Sequence, residues 1–425
     1  MNKNIMYDYS KEDHRKRLLN IKEVERSMSG CRKKELLMDY EPGHYIYHAS
    51  KAGTPEEDSE LFQTLAKAGA KYIYLWSGWA AKENKWDGEA MYMPQDPEGL
   101  RNFLDQAHSY GLKVLPYTST NFFNRNSPLF DPDWAYDAAN DLHLTGLGLD
   151  LAHCSPNSPG WRGHLTGQHV NLLDTFDFDG LYIDSGYFRR CDLIGGLGYY
   201  EEEPVMVKDE ILAFEESATH DGGMEDLLLM LYAEVKRRGK TLTVFKEGTD
   251  CFRTEYKIYD YMLAGECATD IDFVRRRIRD YDHVLLDTSL RKNMEQEEYY
   301  LNTIPFLHFP LLKKNSITMS DKNMVVPDFE EALGWLSLFK EMTTDGTWCY
   351  IDVDCPELIQ NKATDTVCTM YVNAESYVVL ANFGKADNEI GLANDYVEVR
   401  PGQEEKPVSK SVVVKSRSIR ILKKL

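Results

Sequence analysis

The sequence has little positive charge for its length and no long apolar stretch. Its 49 Lys and Arg residues are outnumbered by 69 Asp and Glu residues, and the formal net charge is −20. A field of that sign repels a phosphate backbone, so nucleic acid is not an expected partner. No apolar run reaches the roughly 18 residues of a membrane span, and residues 1–20 have no apolar core of a secretion signal. We therefore expect no membrane partner.

Cysteine is scattered, and metal-binding motifs are lacking. The chain has eight cysteines, and their spacing matches no zinc pattern. There is no His-x-His or HExxH grouping, so no metal and no other cofactor is predicted. Reduced thiols fit a cytoplasmic location best, and we expect one.

Short apolar runs alternate with amphipathic segments through the first three quarters of the chain. Most runs are apolar on both faces, which is typical of buried parallel strands. Eight strand–helix units predict an α/β fold, a (β/α)8 TIM barrel, whose last helix covers residues 328–342. A doubly wound sheet is the competing fold, but no Gly-rich phosphate loop follows the first run. The eight runs are 44–50, 72–79, 113–120, 180–186, 241–248, 261–267, 283–289 and 304–309.

Two further segments flank this predicted barrel. Residues 1–42 have helical periodicity amid Lys, Arg and Glu, which predicts an N-terminal helical arm that Pro42-Gly43 ends. The barrel then covers residues 43–345. From residue 346 to 425, alternating apolar runs are separated by Asn, Gly, Asp and Pro, which predicts a C-terminal all-β domain, an antiparallel sandwich. Its predicted strands lie within 366–373, 376–384, 389–399, 408–416 and 418–425.

Carboxylates end four successive runs of the predicted barrel. They are Asp184, Glu247, Glu266 and Asp287. Active sites of such barrels lie at the carboxyl ends of the strands. Any one of these acids is equally well explained as a helix N-cap or a solvated loop acid. Acids crowded around one axis repel each other, however, so we expect at least two of the four to be catalytic.

Paired carboxylates without a convincing nucleophilic Ser or Cys favour glycoside hydrolysis. One carboxylate attacks the anomeric carbon, and a second, held protonated, gives its proton to the leaving oxygen. A separation of about 5–5.5 Å gives retention of configuration, and a wider one gives inversion. Side chains on neighbouring strands, which lie about 4.8 Å apart, reach the shorter value, so retention is weakly favoured.

A family resemblance supports this interpretation. The stretch FDFDGLYIDSG (176–186) resembles the strand-four motif of retaining glycosidase barrels in the alpha-glucosidase and alpha-galactosidase clans. CSPNSPGWRGHL (154–165) resembles the segment that precedes this strand. YVVLANFG (377–384) and SRSIRIL (416–422) resemble the small antiparallel domain that follows the barrel in alpha-amylase-like and alpha-galactosidase-like enzymes. The likeness spans most of residues 44–425, at the level of a clan.

The resemblance implies that Asp184 is the nucleophile and leaves the acid/base open. The alpha-amylase arrangement implies Glu247 as the acid/base and Asp287 as a third acid, although the His-Asp pair of strand seven is missing. The alpha-galactosidase arrangement has an Asp after strand six, where this chain has Glu266, and a Lys two residues before the nucleophile, where it has Tyr182. Neither subfamily is claimed.

Sugar rings stack on aromatic side chains and hydrogen-bond to polar ones, which predicts a carbohydrate substrate and a set of binding residues. For Trp76, a structural role in closing the top of the barrel is as good an interpretation as contact with a ligand. His48 and His308 are read as core groups. The predicted substrate-binding residues are Trp76, Trp79, Tyr117, Asn121, Tyr187, Arg189 and Asp287.

The sequence therefore predicts a retaining glycosidase that acts on α-linked glycosides or short oligosaccharides. Two alternatives stay open. A catalytically inactive carbohydrate-binding barrel has no need to hold Asp184 close to Glu247. A metal-dependent barrel lyase or aldolase loses activity with a chelator, because clustered carboxylates also hold Mg²⁺ or Mn²⁺.

Overall fold

A computed structural model describes most of the chain from residue 41 onward. The predicted N-terminal arm lies outside the described residues except for residues 41 and 42. Within the described parts, no helix combines the length and apolar character that crossing a bilayer needs. The described ranges are 41–49, 53–76, 78–80, 93–120, 122–135, 151–184, 199–200, 203–204, 210–245, 259–264, 284–286, 290–291, 296–314, 324–325, 328–351 and 356–425.

Eight strands form one sheet in which neighbours follow chain order. A parallel bridge joins Tyr45 to Leu312, and the Leu312 N–H donates to the His44 carbonyl at 2.8 Å. The first strand thus meets the segment after the eighth, and the predicted barrel is confirmed. The strands are β1 (His44–His48), β2 (Tyr72–Trp76), β3 (Lys113–Ser119), β4 (Gly180–Asp184), β5 (Thr241–Phe245), β6 (Tyr261–Ala264), β7 (Val284–Leu286) and β8 (Phe309–Pro310).

In the described part of the chain, helices lie between several of these strands, and some of them begin at side-chain caps. The Asp96 carboxylate accepts from the Gly99 N–H and the Asp328 carboxylate from the Glu331 N–H, so each satisfies an otherwise unpaired donor of the first turn. The predicted helix at 328–342 is therefore confirmed, with Asp328 as its cap. The helices are α1 (Pro55–Ala68), α2 (Pro97–Ser109), α3 (Pro159–Thr175), α4 (Glu210–Arg237), α5 (Gln296–Leu301) and α6 (Phe329–Thr343).

The chain divides into two compact units. The first contains the described residues within Ile46–Phe62 and Tyr72–Leu263, and its interior is lined by large aromatic side chains. The Tyr72 and Tyr261 rings lie 5.3 Å apart, and the Tyr74 and Tyr182 rings 4.9 Å apart. The Tyr74 hydroxyl and the Thr243 hydroxyl are hydrogen-bonded at 2.9 Å, so the polar atom of this buried ring is satisfied.

The Asp-Gly pair before β4 explains part of the strand-four motif physically. The Asp179 carboxylate accepts from the Val114 N–H at 2.7 Å and is hydrogen-bonded to His108 Nε2 at 2.8 Å. Gly180 pairs with Thr241 of β5, and a Cβ on Gly180 would lie 1.8 Å from the Thr241 carbonyl oxygen. The Asp therefore anchors β4 to β3, and the Gly lets the backbone of β5 approach.

The second unit contains the described residues within Arg17–Tyr45, Gln63–Lys71 and Ala264–Leu425, including an all-antiparallel C-terminal part. Its six-stranded sheet has the order β9-β11-β12-β17-β14-β15, and its three-stranded sheet the order β10-β13-β16. Buried side chains from both sheets, among them Leu380 and Ile390, share one core. The strands are β9 (Thr347–Tyr350), β10 (Ile359–Gln360), β11 (Thr366–Val372), β12 (Ser376–Asn382), β13 (Asn388–Leu392), β14 (Tyr396–Glu398), β15 (Lys406–Val408), β16 (Ser411–Val414) and β17 (Ser418–Lys424).

Two predicted strands need correction. Residues 304–308 were assigned to the eighth strand, but Ile304–Phe306 is a 3-10 turn, and β8 begins at Phe309. Pro305 fits the first turn of a helix, and Leu307 adopts a left-handed φ of 62° that ends it, so the chain cannot extend here. The run at 389–399 is two strands, β13 and β14, separated by a bend.

Candidate active site

The structure describes four of the predicted site residues: Asp184, Trp76, Trp79 and Tyr117. The other six lie outside the described residues, and their roles stay predictions. Those six are Glu247, Glu266, Asp287, Asn121, Tyr187 and Arg189.

Asp184 is the last residue of β4, at the carboxyl end of the barrel. It is paired in register with Ser119 of β3 and Phe245 of β5. Side chains alternate along a strand, so Asp184 shares the interior face with Tyr182. The Tyr117 hydroxyl donates to Asp184 Oδ2 at 2.6 Å, and the Asp184 side chain is half-buried. The carboxylate therefore faces the mouth of the barrel, where a barrel enzyme carries its chemistry.

Three aromatic rings form a floor beneath this carboxylate. The Trp76 ring lies 4.2 Å from the Tyr117 ring, edge to face, and 6.0 Å from the Tyr182 ring, stacked. Only 6% of Trp76 and 1% of Tyr182 is exposed. Because these rings cover one another, Trp76 presents little free surface to a sugar. Its contacts fix the Tyr117 ring, and the Tyr117 hydroxyl in turn orients Asp184.

The structure does not bring Trp79 to Asp184. The Trp79 ring packs edge to face on Phe178, with ring centroids 5.9 Å apart, and only 6% of Trp79 is exposed. Phe178 stands two residues before β4 begins, whereas Asp184 is the residue at which β4 ends. The Trp79 ring is thus packed against Phe178, and its role in sugar binding stays a prediction.

Two residues that the sequence analysis did not single out support the backbone of Asp184, Thr120 directly and Trp161 through Thr120. The Thr120 N–H donates to the Asp184 carbonyl at 3.2 Å, and the Thr120 hydroxyl donates to the same oxygen at 3.4 Å. The indole N–H of Trp161 donates to the Thr120 carbonyl at 3.0 Å. The sequence analysis included Trp161 only within the segment 154–165 that precedes the fourth strand, because nothing in the sequence shows which carbonyl its indole reaches.

The histidines of the described barrel differ in position. Tyr47 packs on Phe62 and Phe103, so His48, the last residue of β1, has the opposite orientation, toward the interior. His169 of α3 is buried: its Nδ1–H donates to the Leu165 carbonyl at 2.8 Å. Its Nε2 is hydrogen-bonded to the Thr118 hydroxyl at 2.9 Å. Burial lowers the pKa of His169 to about 4, so this imidazole is neutral and structural.

A metal site has no support within the described ranges. No group of three or more His, Cys, Asp or Glu side chains in that part of the chain is arranged to hold an ion. The carboxylates predicted to end β5, β6 and β7 fall outside those ranges.

Comparison with known proteins finds similarity in structure but not in sequence. No family model matches the chain, and no curated protein does. A noncanonic maltogenic alpha-amylase from Thermotoga neapolitana is 12% identical, with a TM-score of 0.58, over 92% of this chain and 99% of that one. An alpha-amylase from Geobacillus thermoleovorans, solved with acarbose, is 12% identical, with a TM-score of 0.55, over 91% and 98%.

A GH36 alpha-galactosidase, AgaA from Geobacillus stearothermophilus, is also similar. It is 14% identical, with a TM-score of 0.54, over 91% of this chain and 56% of that one. At such identities the similarity concerns the fold. The chain therefore has the TIM barrel and following β domain that alpha-amylases and GH36 alpha-galactosidases share.

Proposed function

We propose that the protein is a retaining glycoside hydrolase that acts on α-linked glycosides or short oligosaccharides. Asp184 is the nucleophile, and Glu247 or Glu266 is the acid/base. The observation that carries the proposal is the position of the Asp184 carboxylate at the carboxyl end of β4, bonded to Tyr117 at 2.6 Å. The fold shared with alpha-amylases and alpha-galactosidases supports the reaction class.

The reaction has two displacements. In the first, the Asp184 carboxylate attacks the anomeric carbon while the second carboxylic acid protonates the departing glycosidic oxygen. In the next, the second group, now a carboxylate, takes a proton from water, which attacks the same carbon and releases Asp184. The Tyr117 hydroxyl orients the Asp184 carboxylate for the first attack, because a hydrogen bond to an ionised acceptor is short and strong. An acidic protein favours neutral sugars over anionic ones as substrates.

The test compares two carboxylate variants on a panel of α-glycosides. Asp184→Asn keeps the shape of the side chain but removes the attacking charge, so we expect turnover to disappear with the fold intact. Asp177→Asn is the matched control, because the Asp177 side chain is 85% exposed and lies before β4 begins. We expect this control to keep full activity, and circular dichroism checks the fold of both.

Several results would contradict the proposal. Full activity of the Asp184 variant removes the nucleophile assignment. A wild-type protein that binds sugars but turns over no glycoside supports the binding barrel instead. Activity that a chelator abolishes supports the metal-dependent alternative. We also propose a cytoplasmic location, supported by the scattered cysteines, and cell fractionation tests it.

A further inference from the structure

We propose that Thr120 and Trp161 are positioning residues that fix the position of Asp184 at the carboxyl end of the barrel strands. The inference rests on the proposed function, since it concerns the same nucleophile. Thr120 acts on the backbone of β4 at the Asp184 carbonyl, and Trp161 acts through Thr120.

Asp184 lies in the last register pair between β3 and β4. The last register pair is Ser119 with Asp184, and beyond it the Thr120 N–H continues the ladder by donating to the Asp184 carbonyl at 3.2 Å. The Thr120 hydroxyl reaches the same oxygen at 3.4 Å. Thr120 is fully buried. The main chain of Asp184 is thus held by Thr120, and its carboxylate is held separately by Tyr117.

Thr120 is itself fixed by a rigid helix end. The Trp161 indole donates to the Thr120 carbonyl at 3.0 Å, and Trp161 is fully buried in the first turn of α3. The Trp161 N–H is bonded to the Ser158 hydroxyl at 3.3 Å. Its ring contacts those of Phe123 and Trp134. The indole therefore cannot move without moving the helix.

This arrangement affects the rate of nucleophilic attack more than it affects the stability of the fold. Attack needs the reacting atoms about 3–3.5 Å apart and aligned, and a misplacement of about 1 Å costs on the order of 100-fold in rate. Loss of the Trp161 bond frees the Thr120 carbonyl and lets the end of β4 shift by a fraction of that distance. We therefore expect kcat to fall by roughly tenfold while KM stays within about twofold, since substrate binding does not use this bond.

The experiment compares Trp161→Phe with Trp134→Phe in the full chain. Both variants replace an indole in the same aromatic cluster. Within the described residues, the hydrogen bonds of Trp134 go through its backbone to Asp131 and Ser155, not to Thr120. Melting temperature, kcat and KM are measured for both, with the best glycoside that the wild type turns over. We expect similar losses of melting temperature but a loss of kcat confined to the Trp161 variant.

Equal losses of kcat in the two variants would refute the positioning role, and so would an unchanged kcat in Trp161→Phe. If that variant does not fold, Thr120→Val decides, because it removes only the hydroxyl that reaches the Asp184 carbonyl. A several-fold lower kcat at constant KM supports the inference, and an unchanged kcat overturns it. A wild type without glycosidase activity refutes the proposed function itself, so the two failures are distinguishable.

Discussion

The buried His169 should make the folded protein sensitive to mild acid. Its ring joins α3 to β3: Nδ1–H donates to the Leu165 carbonyl at 2.8 Å, and Nε2 is hydrogen-bonded to the Thr118 hydroxyl at 2.9 Å. Only 1% of the residue is exposed. Burial lowers its pKa from 6.5 to about 4, because a charged imidazole would lose its hydration.

The sign and size of the effect follow from linkage. Below pH 6.5 the unfolded chain binds a proton at His169 that the folded chain does not bind until about pH 4. The free energy of unfolding therefore has its full His169 contribution above pH 6.5 and loses it as the pH falls toward 4. At about 1.4 kcal/mol per pH unit, this loss amounts to about 3 kcal/mol.

Urea unfolding of the wild type and of His169→Gln at pH 7, 5.5 and 4 measures this loss. Glutamine does not titrate, and the other ionisable groups are common to both proteins, so their contributions cancel in the comparison. We expect the variant to be less stable at pH 7, because it loses the buried hydrogen bonds. We also expect its stability to fall by about 3 kcal/mol less than that of the wild type between pH 7 and 4. Parallel pH profiles would refute the argument.

Two further predictions concern the proposed reaction. Tyr117→Phe removes the hydroxyl bound to Asp184 but keeps the ring on Trp76. A hydrogen bond to a charged group contributes about 1.5–3 kcal/mol, so kcat should fall by roughly tenfold or more. Steady-state kinetics check it, with Tyr182→Phe as control; a rise in KM alone would show instead that Tyr117 binds the sugar. Glu247→Gln should lose activity mainly on substrates with poor leaving groups, since activated aryl glycosides need little proton donation. If Glu266→Gln shows that selective loss, Glu266 is the acid/base.

The fold was predictable because each barrel strand has its own local signature. The runs at 72–79, 113–120 and 180–186 contain β2, β3 and β4, starting at the same residues. Burial on both faces requires apolar residues at every position, and this pattern needs no knowledge of the neighbours. The prediction of the eighth strand failed at its start, because Ile304–Phe306 is as apolar as a strand but forms a 3-10 turn. Apolar character alone cannot separate a short buried turn from a short strand.

Of the predicted acids, the structure describes Asp184 alone, at the strand end where the sequence placed it, and the residues that support it were not predicted. Asp184 was found because a carboxylate after a buried run marks the carboxyl end of a strand. Trp79 was placed near it by proximity in sequence, but its ring packs on Phe178. Thr120 and Trp161 were missed since their contact joins a strand end to a helix 41 residues further along the chain. Side-chain hydrogen bonds over such separations leave no periodicity in the sequence.

The surroundings of Asp184 differ from the alpha-galactosidase pattern that residues 176–186 resemble. The alpha-galactosidase pattern has a lysine at the position of Tyr182, two residues before the nucleophile. Here that residue is 1% exposed and packed under Trp76 and Tyr117, so a lysine there would bury an ammonium among aromatic rings. Among the described residues, the neutral Tyr117 hydroxyl bonds to the carboxylate directly. The attraction between a neutral hydroxyl and an anion is limited to hydrogen-bonding distance, whereas the attraction between a cation and an anion extends over several ångströms. Within the described residues, the orientation of Asp184 therefore depends on close contacts, and Tyr117 and Thr120 supply two of them.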